Sequence, residues 1–236
     1  MSEIIPAIIP KSFSDLKEKL SLVRGVAKWV QVDVLDGGLV PEKSWPYLKN
    51  PDQDFVTIIK EEEGLPFWED FHFEVDLMVG NPDSVFRDWI SAGVLRVIVH
   101  HESFGSGEEV SSFVDKFKAE YGSNESLVNT EIVVAINIDT PNDALGPLLS
   151  KIDAVQLMGI ATIGKQGEPF DERVLKKISD LRGTNSDIVI SVDGGVSLES
   201  APSLIEAGAT RLVAGSAIFK SDNISEAIES FRKITD

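Results

Sequence analysis

Eight short apolar segments recur along this chain, and segments with helical spacing separate them. The predicted strands are Ile4 to Ile9, Trp29 to Val34, Phe73 to Val79, Arg96 to His100, Ile132 to Ile136, Ala154 to Met158, Asp187 to Val192 and Arg211 to Ala214. Apolar residues repeat at helical spacing between them, as in Leu16, Leu20 and Val23. Strands that alternate with helices form a parallel sheet, and eight such units can close it. We therefore expect an α/β protein, a (β/α)8 TIM barrel, in which one domain spans residues 1–236.

A doubly wound open sheet is the alternative arrangement. Its dinucleotide fingerprint is absent, because Pro10-Lys11-Ser12-Phe13 follows the first strand where a glycine-rich turn is required. We therefore prefer the barrel and expect no nucleotide cofactor.

Capping residues indicate where several helices begin and end. The predicted starts are Ser14 before Asp15, Asn81 before Pro82 and Thr140 before Pro141. The glycines predicted to follow helix ends are Gly93, Gly122 and Gly208.

Composition excludes several classes of partner. The net charge of -17 argues against binding to nucleic acid or an anionic membrane, which both need a basic surface. The chain has no cysteine, so disulfides, thiolate nucleophiles and cysteine metal sites are excluded. No apolar run reaches the roughly 18 residues of a membrane span, and the first residues do not form a signal peptide. We expect a cytoplasmic protein.

Three aspartates lie at the ends of predicted strands: Asp33, Asp76 and Asp193. The carboxyl ends of barrel strands surround the active site, so these side chains should converge there. Asp33 shares one strand face with Gln31, opposite the valines, where an acid without a partner is costly to bury. We expect functional roles for Asp33 and Asp193, whereas Asp36 before Gly37 is typical of a turn.

Clustered carboxylates repel one another and need a cation, a shared proton or hydrogen-bond donors. One divalent metal would meet that need, and the oxygen donors of Gln31, Asp33, Asp76 and Asp193 suit magnesium or manganese better than zinc. Lys11, just after the first strand, is an alternative source of positive charge in the substrate cavity.

Glycines follow the last two strands, at Gly194 and Gly195 and again at Gly215 before Ser216. Backbone N–H groups of such loops can approach an anion closely, and this position is the usual phosphate site of barrels. The sequence therefore predicts phosphate binding there.

Other residues are candidates for contacts with the substrate. The loop after the sixth strand contains Gly164, Gln166 and Gly167 and is a candidate lid. Met78 and Met158, at strand ends, are candidates to cap the cavity. His72 is predicted to precede its strand, and His100 is predicted to be a hydrogen-bonded structural residue.

Several of these segments occur in one order that matches a known family. They include Val32-Asp33-Val34-Leu35-Asp36-Gly37, Val75-Asp76-Leu77-Met78, His100 with Glu102, Asn137 with Thr140-Pro141, Gly164 to Gly167, Val192 to Val196, and Gly215-Ser216. Over essentially the whole chain they resemble the ribulose-phosphate 3-epimerase family. The resemblance implies a barrel that binds a sugar phosphate, with Asp33 and Asp193 as acid and base on opposite faces of the substrate carbon. It also leaves a homo-oligomer open.

The chain departs from the family pattern at the metal site. The family pairs the two aspartates with two histidines, whereas Gln31 and Asp76 stand at the matching positions here. Ala7 likewise replaces an early serine of the family.

These features favour an isomerase that epimerises a phosphorylated ketose at C3 with an altered metal site. A non-catalytic or regulatory protein that binds a sugar phosphate is the second hypothesis. Another phosphosugar enzyme of the same superfamily is the third, since fold does not fix function.

Overall fold

A computed structural model describes residues 2–122 and 129–235 of the chain. Eight parallel strands follow one another in chain order around a closed barrel, and β8 pairs with β1. The strands are β1 (Glu3–Ile8), β2 (Trp29–Leu35), β3 (His72–Met78), β4 (Arg96–His100), β5 (Glu131–Ile136), β6 (Ala154–Met158), β7 (Val189–Asp193) and β8 (Arg211–Ala214). The predicted TIM barrel is confirmed.

Helices surround the barrel and cover its outer face. They are α1 (Phe13–Val23), α2 (Gln53–Ile59), α3 (Phe86–Ser91), α4 (Gly107–Tyr121), α5 (Arg173–Thr184), α6 (Ala201–Ala207), α7 (Ser216–Phe219) and α8 (Ile224–Thr235). A short 3₁₀ helix, Asn142–Leu145, takes the place of an α-helix between β5 and β6.

The side chains of the strands alternate between two kinds of surroundings. On β2, Val30, Val32 and Val34 belong to the large core between the sheet and helices, together with Leu16 and Leu20 of α1. The residues between these valines point into the barrel, because successive side chains of a strand face opposite ways. Buried charged side chains inside the barrel form two layers. One contains Arg96 and Glu74 at the amino-terminal end, and the other contains Asp33 and Asp76 near the carboxyl ends of the strands.

The layer at the amino-terminal end is an ion-pair cluster centred on Arg96. Its guanidinium lies 2.9 Å from Glu74 and 2.7 Å from Glu131, and its Cζ lies 3.5 Å from the centre of the Trp29 ring. Arg211 contacts Glu131 at 3.3 Å. This cluster closes the end of the barrel opposite the carboxyl ends of the strands.

Several predicted boundaries differ from the structure. His72 is the first residue of β3 rather than a residue before it. The N-cap of α1 is Ser12 and not Ser14, because the Ser12 hydroxyl accepts a hydrogen bond from the Asp15 amide. Thr140 caps no helix, since the 3₁₀ helix that follows begins at Asn142, after Pro141.

The remaining caps agree with the sequence only in part. Asn81 does precede a 3₁₀ helix, Pro82–Ser84, but its side chain makes no capping hydrogen bond. Gly93 and Gly208 have the left-handed backbone expected after a helix, with φ of 94° and 114°. Gly122 ends α4 with φ of -95°, so this glycine is not required by left-handed geometry.

Over residues 2–122 and 129–235, no helix combines the length and the apolar character needed to cross a membrane.

Candidate active site

Three aspartates meet inside the barrel at the carboxyl ends of its strands. Asp33 of β2 and Asp76 of β3 are register partners, and Asp193 is the last residue of β7. One carboxylate oxygen of each lies within 4.8 Å of those of the other two. Asp33 and Asp76 are buried. The strand order of the barrel therefore brings together three acids that are up to 160 positions apart in the chain.

Gln31 joins two of these acids. Its Nε2 atom donates hydrogen bonds to Oδ1 of Asp33, at 2.7 Å, and to Oδ2 of Asp193, at 2.8 Å. Gln31 is fully buried, and its Oε1 atom has no hydrogen-bond partner among the described residues. One amide nitrogen therefore donates a hydrogen bond to each of the two acids, while the carbonyl oxygen of the same amide has no donor among the described residues.

Asp76 is held by a different set of side chains. His100 Nε2 lies 3.0 Å from its Oδ1, and Gln156 Nε2 donates to its Oδ2 at 3.1 Å. Ser191 in turn donates to Gln156 Oε1 at 3.3 Å. The prediction that His100 is hydrogen-bonded is confirmed, and its partner is Asp76 of the acid cluster.

The link from His100 and Gln156 to the acid cluster was not predicted from the sequence. Gln156 is the one polar residue of β6, and His100 ends β4 after three apolar residues; both positions face the barrel interior. A polar side chain at such a position was the available signal, because it needs a buried partner.

Burial and mutual repulsion change the acidity of the cluster. Burial, and then the charges of Asp193 and Asp76, raise the pKa of Asp33 well above its usual value. The pKa of Asp193 is raised to about 7, chiefly by burial and then by the Asp76 charge. The hydrogen bonds from Gln31 oppose both shifts. The pair therefore holds a proton near neutral pH, where ordinary aspartates are fully ionised.

A pocket opens above the acids at the mouth of the barrel. Asp33 and Asp193 line it with Met78 and Met158, and so do the glycine-rich segments after β6, β7 and β8, namely Gly164 to Glu168, Gly194 to Val196, and Gly215 with Ser216. The structure thus places the predicted acids, methionines, lid residues and phosphate-loop residues around one cavity.

Close packing explains the glycine at position 195. Its φ is 68°, and a Cβ atom there would lie 2.7 Å from the Cα atom of Phe170. No other residue fits without displacing the backbone of the neighbouring loop. The loop after β7 can therefore follow this path only with glycine.

The loop after β6 is held down over the pocket by two contacts. Gln166 Nε2 donates to the carbonyl oxygen of Ala7 at 2.9 Å, and Lys165 forms a 3.0 Å ion pair with Glu42 in the loop after β2. These contacts connect the candidate lid to β1 and to the loop after β2.

Two predictions about neighbouring residues have opposite outcomes. Lys11 is exposed and is not among the residues that line the pocket, so its assignment to the substrate cavity is wrong. Ser12, the next residue, is the N-cap of α1, and Lys165 is among the residues that line the pocket. Asp36 has the predicted turn role, because its carboxylate accepts hydrogen bonds from the amides of Gly38 and Gly80.

The acid cluster fits a divalent cation. Three carboxylates with oxygen atoms within 4.8 Å of one another supply oxygen donors, and the carbonyl oxygen of Gln31 is buried with no partner within residues 2–122 and 129–235. An all-oxygen donor set of this kind is suited to magnesium or manganese.

A closed barrel with a cluster of carboxylates at the carboxyl ends of its strands places this protein among the (β/α)8 barrels that carry their functional site at that end. Comparison with known proteins narrows the class. The chain belongs to the ribulose-phosphate 3 epimerase family, whose model matches residues 3–219.

Curated relatives align with nearly the whole chain. The chloroplastic ribulose-5-phosphate-3-epimerase of Arabidopsis thaliana is 33% identical, with coverage of 98% of this chain and 77% of the relative. The ribulose-phosphate 3-epimerase of Bacillus subtilis (strain 168) is 29% identical, with coverage of 98% and 99%.

More distant solved structures share the fold. The 3-hexulose-6-phosphate synthase from Salmonella typhimurium has a TM-score of 0.68 at 14% identity, with coverage of 99% of this chain and 98% of that one. KGPDC from Streptococcus mutans has a TM-score of 0.65, also at 14% identity, with coverage of 99% and 97%.

Proposed function

We propose that this protein is an isomerase that epimerises a phosphorylated ketose at C3, with Asp33 and Asp193 as the proton-transfer groups. The observation that carries the proposal is a pair of carboxylates, buried Asp33 and half-buried Asp193, joined through one Gln31 amide at 2.7 and 2.8 Å, with raised pKa values. Membership of the ribulose-phosphate 3 epimerase family favours ribulose 5-phosphate as the substrate.

The proposed reaction needs one base and one acid on opposite faces of C3. The ionised member of the Asp33 and Asp193 pair removes the C3 proton, and the electron pair moves toward the C2 carbonyl oxygen. The protonated member then delivers a proton to the other face of C3. One proton leaves and one arrives, so the sugar is unchanged except for its configuration at C3.

The raised pKa values supply both protonation states near pH 7. An ordinary aspartate is almost fully ionised at that pH and makes a poor acid. A carboxyl with a pKa of about 7, as at Asp193, is well matched to proton transfer in either direction.

Other residues in the pocket would bind and orient the substrate. The N–H groups of Gly194, Gly195, Gly215 and Ser216 are proposed to hold the phosphate at the mouth of the barrel. Met78 and Met158 form an apolar wall, and the loop with Gly164, Gln166 and Gly167 would exclude water from the reacting carbon.

The residues that would hold a divalent metal are Gln31, Asp33, Asp76 and Asp193. Such an ion supplies a positive charge that stabilises the negative charge developing on the carbonyl oxygen.

Exchange of the C3 proton with solvent tests the proposal directly. Ribulose 5-phosphate is incubated with the protein in D2O, before and after addition of manganese or magnesium, and the C3 proton signal is followed by NMR. We expect the signal to disappear. Asp33→Asn and Asp193→Asn should each slow the loss at least about 100-fold, whereas Lys11→Ala, at an exposed position outside the pocket, should not.

The pH dependence adds a second test. The acid must be protonated, so kcat/KM should fall as pH rises above about 7, the pKa of Asp193. A profile that stays flat to pH 9 would contradict the assigned roles.

A sugar-phosphate-binding protein without turnover is the second candidate. The replacement of both metal-ligand histidines of the family by Gln31 and Asp76 favours it. Binding of ribulose 5-phosphate without exchange of its C3 proton, with or without metal, would support this candidate and refute the epimerase.

A further inference from the structure

Trp68 is the most exposed large apolar side chain within residues 2–122 and 129–235. Its exposed fraction is 62%, whereas Trp45 and Trp89 are buried. An indole presents a large apolar face and one N–H donor, which is why tryptophan is enriched where proteins contact other molecules. Trp68 therefore marks a candidate contact surface.

Two open grooves lie on either side of Trp68. The larger has a volume of about 620 Å³, and its apolar walls are Ile58, Leu65, Phe71, Phe73 and Leu95. The smaller has a volume of about 350 Å³ and is lined by Phe13, Pro66 and Phe67. His72, at the edge of the larger groove, is the first residue of β3, so both grooves lie at the amino-terminal end of the barrel, opposite the substrate pocket.

The backbone holds the indole in a defined position. A Cβ atom on Gly64 would lie 2.5 Å from Cδ1 of Trp68, so the ring rests directly on the Gly64 backbone. The amide of Trp68 donates to the carbonyl oxygen of Leu65 at 3.1 Å. A side chain that is already oriented loses little conformational freedom when it binds a partner.

The charges beside the indole select a cationic partner. Glu61, Glu62 and Glu63 are exposed, line the larger groove and form no ion pair with a lysine or arginine of the described residues. A second copy of this chain, placed on the surface by a twofold axis, would bring these glutamates against their own counterparts. The net charge of -17 disfavours the same contact. Charge complementarity therefore favours a basic segment of a different protein.

The same part of the chain shows how a guanidinium uses these groups. Cζ of Arg24 lies 5.0 Å from the centre of the Phe67 ring, and its Nε lies 2.7 Å from Asp70. Arginine thus contacts an aromatic face and a carboxylate together, because its planar cation can stack on a ring while it donates hydrogen bonds. Trp68 and the three glutamates offer the same two groups, and no arginine of the described residues stacks on this indole.

We propose that residues 61–68, with the larger groove, form a docking surface for a segment of another protein in which arginines alternate with apolar residues. One guanidinium stacks on Trp68 and pairs with the glutamates, and a neighbouring apolar side chain enters the groove. The inference goes beyond the proposed function and does not depend on it, because the surface and the substrate pocket lie at opposite ends of the barrel.

The probe is the synthetic peptide acetyl-Arg-Leu-Arg-Leu-Arg-amide, titrated into ¹⁵N-labelled protein while the indole N–H signals are followed by NMR. We expect the Trp68 signal to shift with a Kd of about 1 mM or lower, whereas the signal of buried Trp45 stays in place. Peptides with serine or glutamate in place of each arginine should not shift the Trp68 signal, since both lack the cation.

Two variants test the groups that are proposed to bind the peptide, with calorimetry as the measurement. Trp68→Ala should weaken binding at least about fivefold. The triple variant Glu61→Gln, Glu62→Gln, Glu63→Gln should do the same at low salt. Leu48→Ala, which removes an exposed apolar side chain outside both grooves, should leave the affinity unchanged. Circular dichroism checks that each variant is folded.

The inference is overturned if the arginine peptide does not bind, if the serine or glutamate peptide binds equally well, or if either variant keeps the full affinity. Sedimentation supplies a further test. An oligomer of the unaltered protein that dissociates in Trp68→Ala would show that a second copy of the chain covers this surface instead. Loss of the C3 proton from ribulose 5-phosphate should be unchanged in both variants, so the docking surface and the epimerase can fail independently.

Discussion

Replacement of Arg96 by methionine should destabilise the barrel strongly, although Arg96 lies at the end opposite the pocket. Its guanidinium is buried against Glu74, whose side chain is only 3% exposed. Methionine keeps much of the aliphatic packing but removes the charge, so Glu74 would lose its direct ion-pair partner and keep only the more distant charge of Arg211. Loss of one partner from a buried ion pair costs about 3–5 kcal/mol. For a chain of this length that corresponds to a decrease of roughly 6–20 °C in melting temperature.

The penalty should depend on pH in a defined direction. Burial already raises the pKa of Glu74, and Arg96 opposes the shift. Without Arg96 the pKa of Glu74 rises further, so the folded state holds a proton that the unfolded state releases. The variant should therefore lose stability as pH rises above the ordinary glutamate range, and the loss should be smaller at pH 5 than at pH 8.

Urea unfolding followed by circular dichroism at both pH values measures the effect. Arg24→Met is the matched control, because its ion pair with Asp70 is exposed and should contribute at most about 1 kcal/mol. Glu74→Gln in the Arg96→Met background should recover part of the loss. The reasoning is refuted if Arg96→Met costs no more than Arg24→Met, or if its cost is equal at the two pH values.

Three further predictions concern the pocket. Asp193→Asn should stabilise the fold at pH 8 by up to about 4 kcal/mol, because a carboxyl whose pKa is raised to about 7 is costly to ionise in the folded state. Urea unfolding measures this gain, which should disappear near pH 4, where the carboxyl of the folded protein is protonated. Gln166→Ala removes the bond to the Ala7 carbonyl and should raise KM for the sugar phosphate severalfold in steady-state assays, whereas an unchanged KM would refute the lid role. Gly195→Ala should cost about 1–3 kcal/mol and weaken binding of inorganic phosphate in calorimetry, since its Cβ would contact Phe170.

Much of the fold follows from local patterns in the sequence. Buried strands and their spacing are local properties, so β4, β6 and β8 have the predicted bounds and the others differ by one or two residues. Local competition between capping groups is harder to judge, which explains why the N-cap of α1 is Ser12 and not Ser14.

The acids at the mouth were also predictable, because Asp33, Asp76 and Asp193 lie at or within two residues of the carboxyl ends of their strands, which must meet in a barrel. Alternation along β2 likewise placed Gln31 on the face of Asp33. These inferences need only the order of strands and the twofold repeat of a strand.

Contacts between distant strands were decided only in the tertiary structure. Nothing local to Gln31 indicates that its amide reaches Asp193, 162 positions away, or that Gln156 and His100 share Asp76. Whether a lysine lines the pocket likewise depends on the path of the loop that carries it. Lys165 lines the pocket, whereas Lys11 does not. Periodicity within a strand determines which face of the sheet a residue occupies. Hydrogen-bond partners, distances and pKa values depend instead on strand register and side-chain packing around the closed barrel. Register and packing involve residues far apart in the chain, so no short segment of the sequence specifies them.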